Sequence, residues 1–140
     1  MNLFKKKQAR EQAEQISSWI FQEDEEGYAW VTIFNGSNFP IYKIILSIVN
    51  IQGSASNGKN TPNELRSFIS LAPPGKHYAR IQIHHGMNFL SGIEIAFKDT
   101  YGQCWVRNGE GILTSIDQLT HKYYGLYLPI SWEQPRENII

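Results

Sequence analysis

Phe97-Lys98-Asp99-Thr100-Tyr101-Gly102-Gln103-Cys104-Trp105-Val106-Arg107-Asn108-Gly109-Glu110-Gly111 reads as a strand, a tight Asp/Gly turn, a second strand and a second Gly turn. Ile93, Ile95 and Phe97 alternate with Glu94 and Lys98 on the way in, and Cys104 to Arg107 leave the turn. That is the syntax of an antiparallel β module, and the rest of the chain repeats it.

Upstream, residues 28–34 (Tyr-Ala-Trp-Val-Thr-Ile-Phe) are rich in β-branched and aromatic side chains and stop at Asn35-Gly36-Ser37-Asn38. Pro40 opens a strand over 41–52, with Tyr42, Ile44, Leu46 and Ile48 on one face and Ile45, Val49 and Ile51 on the other. A strand apolar on both faces belongs inside a sheet or bends between two. Residues 53–63 form a small, polar loop. Residues 65–71 and 77–84 are two more strands, separated by Ala72-Pro73-Pro74-Gly75-Lys76. Past Gly111 the signal weakens, and the pattern predicts a short helix over 113–124 and an extended segment over 126–132, fixed by Pro129. Strands parted by turns, with no helices between them, predict a sandwich and not a parallel sheet.

Residues 1–22 read as an amphipathic helix: Ala9, Ala13, Ile16 and Ile20 recur as one stripe, with Trp19 beside it and no Gly or Pro to interrupt. An acidic linker over 23–27 follows, and 28–140 is the sandwich with an irregular C-terminal tail. The stripe needs a cover. Either it packs on its own sandwich, or it pairs with a second copy or another protein, and its small alanines favour homo-oligomerisation.

Bulk numbers narrow the function classes. At 140 residues the chain fits one domain, with 41% hydrophobic and 19% charged residues and zero formal net charge. No global field argues for nucleic acid, and none is expected as a partner. The lone Cys104 excludes an intrachain disulfide, and no signal peptide or apolar span is evident, so the expected location is cytoplasmic. Lys5, Lys6, Lys7 and Arg10, with Leu3 and Phe4, offer weak peripheral contact with an anionic membrane, short of stable anchoring. A frayed terminus is the favoured reading of them.

Site chemistry is sparse. His84-His85, His77 and His121 are the metal-like residues, but neighbours on a strand face opposite ways, so no metal or other cofactor is expected. Cys104 reads as a small core residue, as do Trp105 and Trp30 as inter-sheet fillers, while Arg107 is placed to stack on Trp105 or pair with Asp99. Gly109-Glu110-Gly111 and Pro74-Gly75-Lys76 open no helix and are turns, not phosphate loops. Tyr101, Tyr123, Tyr124, Tyr127 and Trp132 cluster late in the chain as a candidate aromatic groove.

In order, Gln12-Ala13-Glu14-Gln15-Ile16-Ser17-Ser18-Trp19, Asn35-Gly36-Ser37-Asn38-Phe39-Pro40-Ile41-Tyr42, Leu71-Ala72-Pro73-Pro74-Gly75 and the 97–111 stretch resemble a group of bacterial β-sandwich domains. Those domains, frequent in actinobacteria and other Gram-positives, place a Gln-Ala-x-x-Ile/Val-Ser-x-Trp helix before an immunoglobulin-like module. The resemblance covers roughly residues 8–113 and implies a fold without an established activity. The expected architecture is therefore mainly β: an immunoglobulin-like antiparallel β-sandwich with an N-terminal amphipathic α-helix. The expected function is a non-enzymatic protein–protein interaction module, an adaptor or inhibitor of a larger bacterial or phage complex. The interaction is expected through a sheet edge, the helix stripe or the 53–63 loop. The alternative is a ligand-binding sandwich using the late aromatics, for a carbohydrate. An enzyme ranks third, since no nucleophile–base pair assembles.

Overall fold

The computed structural model describes residues 2–53, 57–83 and 89–139. Helix α1 (Leu3–Ala13) leads into β1 (Ile16–Glu23), β2 (Tyr28–Asn35) and β3 (Ile41–Asn50). Then come β4 (Arg66–Ala72), β5 (Gly75–Gln82), β6 (Ser91–Lys98), β7 (Cys104–Arg107), β8 (Leu113–Ile116) and the one-turn α2 (Thr120–Tyr123). Among the described residues the strands form two antiparallel sheets, a three-stranded sheet A in the order β1-β2-β5 and a five-stranded sheet B in the order β4-β3-β6-β7-β8. The expected sandwich of antiparallel strands is present.

Two expectations are corrected. The helix ends at Ala13 and not at residue 22: Ile16, Trp19 and Ile20 lie on β1, paired with Asn35, Thr32 and Val31 of β2. Ile16 and Ile20 are four apart and so match a helix stripe, yet they also share one face of a strand. Pairing with β2 decides between the two. The acidic linker is likewise the β1–β2 turn. Asp24 closes it, donating its N–H to the Tyr28 carbonyl (2.8 Å) while its carboxylate accepts the N–H of Glu26 and Tyr28. Helix, turn and sandwich are one body.

The main core lies between the sheets: Val31 and Ile33 of β2, Ile81 of β5, and Ile44, Leu46, Ile48, Ile95, Phe97 and Trp105 of sheet B. Helix α1 closes one end of it with Ala9, Gln12 and Ala13, its buried residues. Two alanines and an amide replace the apolar stripe that the sequence pattern suggested. Gln12 is therefore an anchor. Its amide N–H donates toward Ser37 Oγ (3.2 Å) and the Phe39 carbonyl (3.2 Å), and its Oε1 accepts the Thr100 N–H (3.0 Å). At the helix C-terminus Arg107 donates to the carbonyls of Ile16 (2.8 Å), Glu14 (3.3 Å) and Ala13 (3.4 Å). That satisfies acceptors an α-helix leaves open at its end. The expected Arg107–Asp99 pair is absent. Asp99 instead accepts the Trp105 indole N–H (2.9 Å), and it is Arg10 whose guanidinium sits 5.8 Å over the Trp105 ring.

A second core covers the outer face of sheet B. Ile45, Ala96, Cys104, Val106 and Ile116 lie under Tyr124, with Phe68, Leu126 and Trp132 packed against them. This explains why β3 is apolar on both faces. Residues 113–124, expected as one helix, split into β8 and α2. At a bulge in β3 Lys43 adopts φ 50°, and its carbonyl accepts the Thr120 hydroxyl (2.8 Å).

The last described segment, 133–139, is a strap across the open side of the sandwich. Glu133 pairs with Ile69 on the edge of β4 in sheet B, and Arg136 pairs with Tyr78 on the edge of β5 in sheet A. Four main-chain hydrogen bonds of 2.7–2.8 Å make the two attachments. Edge strands expose unpaired N–H and C=O groups that template association, and the strap covers two of them in part.

Candidate functional site

Along β2 the small and aliphatic Ala29, Val31 and Ile33 are buried, and the aromatic Tyr28, Trp30 and Phe34 fall on the opposite face with Thr32. β5 does the same: Ala79 and Ile81 face the core, while Lys76, Tyr78, Arg80 and Gln82 face outward. Cross-strand register lines up Trp19, Thr32 and Tyr78 as one outward row. β1 slips register between Ile20 and Gln22, so Phe21 is the extra residue of a bulge, and its ring lies 5.7 Å from that of Tyr78. Trp30 is thus corrected from inter-sheet filler to this outer face.

Six aromatic side chains therefore share the solvent side of sheet A: Trp19, Phe21, Tyr28, Trp30, Phe34 and Tyr78. A half-solvated antiparallel sheet normally shows polar side chains there. Trp19 and Phe21 are 40% and 39% exposed, and Trp19 sits 6.4 Å from Phe34 at 56°. With Thr32, Lys76 and Tyr78 they line an open groove of about 380 Å³, whose far wall is Glu137, Asn138 and Ile139 of the strap.

Cations crown the other half of the face. The Arg80 guanidinium lies 4.0 Å from the Tyr28 ring centroid and Arg136 lies 5.1 Å from that of Trp30. Arg80 also bonds Asp24 (2.9 Å) and Glu26 (3.2 Å). Desolvation alone would raise the Asp24 carboxyl, but the Arg80 bond and the N–H groups of Tyr28 and Glu26 outweigh it and hold it below its ordinary value.

The expected partner stripe does not form one surface. Ala9, Ala13 and Ile16 are buried in their own domain, Ile20 is half-buried against the main core, and Trp19 alone points out to the groove. Lys5, Lys6 and Lys7 are exposed beside exposed Leu3 and Phe4, while Arg10 is paired with Glu14 (3.0 Å).

The late aromatics separate too. Tyr101 packs against the main core. Tyr123 and Tyr124 stack edge to face at 5.0 Å over sheet B, and the buried Tyr124 hydroxyl donates to Glu94 (2.7 Å). Trp132 is held between Phe68 (6.1 Å) and the Lys43 amine (4.9 Å), and Tyr127 is 91% exposed away from the others. The loop expected over 53–63 is fastened where it is described: Thr61 bonds the Ile48 carbonyl, and Arg66 bonds the Gly58 carbonyl.

His84 and His85 lie outside the described residues. Among the described residues no three His, Cys, Asp or Glu side chains converge as for a metal ion, and no helix is long and apolar enough to cross a membrane. Cys104 is buried, and burial pushes its thiol up, with Lys98 opposing and Asp99 reinforcing. The thiolate is the alkylating species. Iodoacetamide at pH 8 is therefore expected to leave native Cys104 unmodified over the time that labels it fully in 6 M guanidinium; equal labelling rates, read by mass spectrometry, would contradict the buried placement.

Compared with known protein families, curated proteins and solved structures, the chain matches none of them.

The face of sheet A was the feature that sequence reading passed over. Its signal was in plain view, since Tyr28, Trp30 and Phe34 alternate with Ala29, Val31 and Ile33. Size suggests Trp30 as the core residue, whereas the smaller set Ala29, Val31 and Ile33 is the one that faces the close-packed interior.

Proposed function

We propose that this chain is a non-enzymatic protein-interaction module with an immunoglobulin-like strand arrangement, which binds a protein partner through the outer face of sheet A. The strand order supports the immunoglobulin-like reading: β1-β2-β5 opposes β4-β3-β6-β7, so that β3 leaves sheet A for sheet B, β5 returns, and β6 leaves again. An adaptor or an inhibitor of a larger bacterial or phage complex would use such a face.

The observation that carries the reading is the set of six aromatic rings on a solvated sheet, interleaved with Arg80 and Arg136. Tryptophan, tyrosine, phenylalanine and arginine are the residues enriched in protein interfaces and at their energetic centres. A protein fits better than a carbohydrate, because a sugar stacks on open ring faces and the arginines already cover Tyr28 and Trp30. Of the late aromatics, Tyr123, Tyr124 and Trp132 share the second core with Tyr124 buried, Tyr101 packs on the main core, and the five do not form one exposed platform for that alternative.

Trp19→Ala with Phe21→Ala is the direct test. Both side chains are more than half covered, so the variant is expected to melt several degrees lower, and circular dichroism checks that it is folded at 25 °C before binding is compared. Loss of two central aromatic contacts weakens binding by about 30-fold or more for each that is a hot spot. Proteins captured by the wild-type chain and by the double variant are compared quantitatively, and the affinity of the candidate is then measured with purified components. A partner that binds both equally, yet is lost on a change elsewhere such as Tyr127→Ala, would sink the assignment of this face.

A further inference from the structure

The strap shows what kind of segment this face accepts. It meets β5 at Arg136 and bends at Glu137 and Asn138, exchanging two main-chain hydrogen bonds with Tyr78: Tyr78 N–H to the Arg136 carbonyl (2.7 Å) and Arg136 N–H to the Tyr78 carbonyl (2.8 Å). One residue on, Glu137 places Oε1 3.2 Å from Nδ1 of buried His77, whose Nε2 faces the Pro73 carbonyl at 2.8 Å. Two residues further, Ile139 closes the groove against Trp19 and Phe21. Main chain, carboxylate and aliphatic side chain each meet a matching group.

The strap is nevertheless a short occupant of a long edge. Among the described residues it pairs with β5 at Tyr78 alone, although β5 runs from Gly75 to Gln82. A strand that continued along Arg80 and Gln82 would make more main-chain bonds than the strap does. The strap holds its place with the help of tethering, which supplies an effective concentration of order millimolar.

From this geometry we propose that the protein partner docks a segment along β5 in place of the strap, extended up to the position of Arg136 and bent after it as the strap is. The segment carries an acidic residue for His77 and Lys76 and, two residues later, an aliphatic residue for the groove of Trp19, Phe21 and Tyr78. Main-chain bonds supply affinity and the two side-chain positions supply specificity, as in other strand-addition interfaces. This rests on sheet A being the interaction face, and it names the chemistry of the occupant.

The test uses the full chain and a synthetic peptide of residues 133–139, Glu-Gln-Pro-Arg-Glu-Asn-Ile. In the full chain, Glu137→Ala with Ile139→Ala removes the two side-chain contacts that the proposal uses, while the Arg136–Trp30 and Gln134–Ser70 contacts and the strap backbone stay. The peptide is expected to bind this variant at least tenfold more tightly than the wild type, shifting the Tyr78 and Arg80 amide resonances. A peptide with lysine at the Glu137 position is expected to lose that binding. Absence of shifts in both chains at millimolar peptide, or equal affinity for both, overturns the proposal. Loss of a protein partner on Trp19→Ala with Phe21→Ala, without any peptide binding, overturns strap replacement and leaves the interaction face standing. Peptide binding that the Trp19 and Phe21 changes do not weaken overturns both.

Discussion

Asp99→Ala is expected to lower the unfolding free energy by roughly 3–5 kcal/mol, three orphaned donors each in the lower half of the range of about 1–3 kcal/mol. Asp99 is 1% exposed and accepts from the buried Trp105 indole (2.9 Å), from the Tyr101 N–H (2.8 Å) and from the Gln103 N–H (2.9 Å). One carboxylate thus shapes the β6–β7 turn and fixes the largest side chain of the core. Urea unfolding measures the loss, and the thermal midpoint should fall by roughly 10–15 °C. Asp99→Asn keeps one acceptor oxygen but turns an NH₂ toward either the indole or the turn, so it is expected to recover only part of the stability. A loss below about 1 kcal/mol for the alanine variant would mean that water replaces the carboxylate, and the turn would not be held as described.

Arg107→Met is the second large effect, expected at about 2–4 kcal/mol on the scale of charge-assisted hydrogen bonds. The apolar stem is kept, and what disappears is the guanidinium that joins the carbonyls of Ala13, Glu14, Ile16 and Gly111. Those carbonyls belong to the end of α1, the start of β1 and the β7–β8 turn, so one side chain fastens three elements. Arg107→Lys is expected to rescue less than half, because an ammonium on a flexible stem cannot span four acceptors in a fixed fork. Amide exchange should show where the damage falls. In Arg107→Met, faster exchange concentrated in residues 9–16 supports the fastening role, whereas uniform acceleration would assign Arg107 to general packing.

Much of this architecture was legible because period-two alternation is strong where a strand faces a core. β2, β3, β6 and β7 begin and end within a residue or two of the positions that their alternation and turn residues suggest. The helix overran for a physical reason: Ile16 and Ile20 satisfy a helical and a strand face alike, and no Gly or Pro marks the change between Ala13 and Ile16. Only pairing with β2, invisible locally, settles it. The outer face of sheet A is carried by Trp19, Tyr28, Trp30 and Phe34, yet Trp30 reads as an inter-sheet filler, because alternation says which residues share a face and leaves open which face is wet. The strap carries no alternating pattern that would mark its two bridges. Its attachments at Glu133 and Arg136 are main-chain bonds, which any sequence can make.

The anchoring of α1 also sets an order of events on the ribosome. The helix is made well before the groups that seat it: the Thr100 amide on Gln12 and the Arg107 guanidinium at its end lie 88 to 94 residues downstream. At usual elongation rates that interval lasts about 5–20 s. During it the alanine face of the helix and the inner side of Ile16 have no receptor, although β1 and β2 can already pair. An element translated ahead of the strands it packs on is thus among the last to dock.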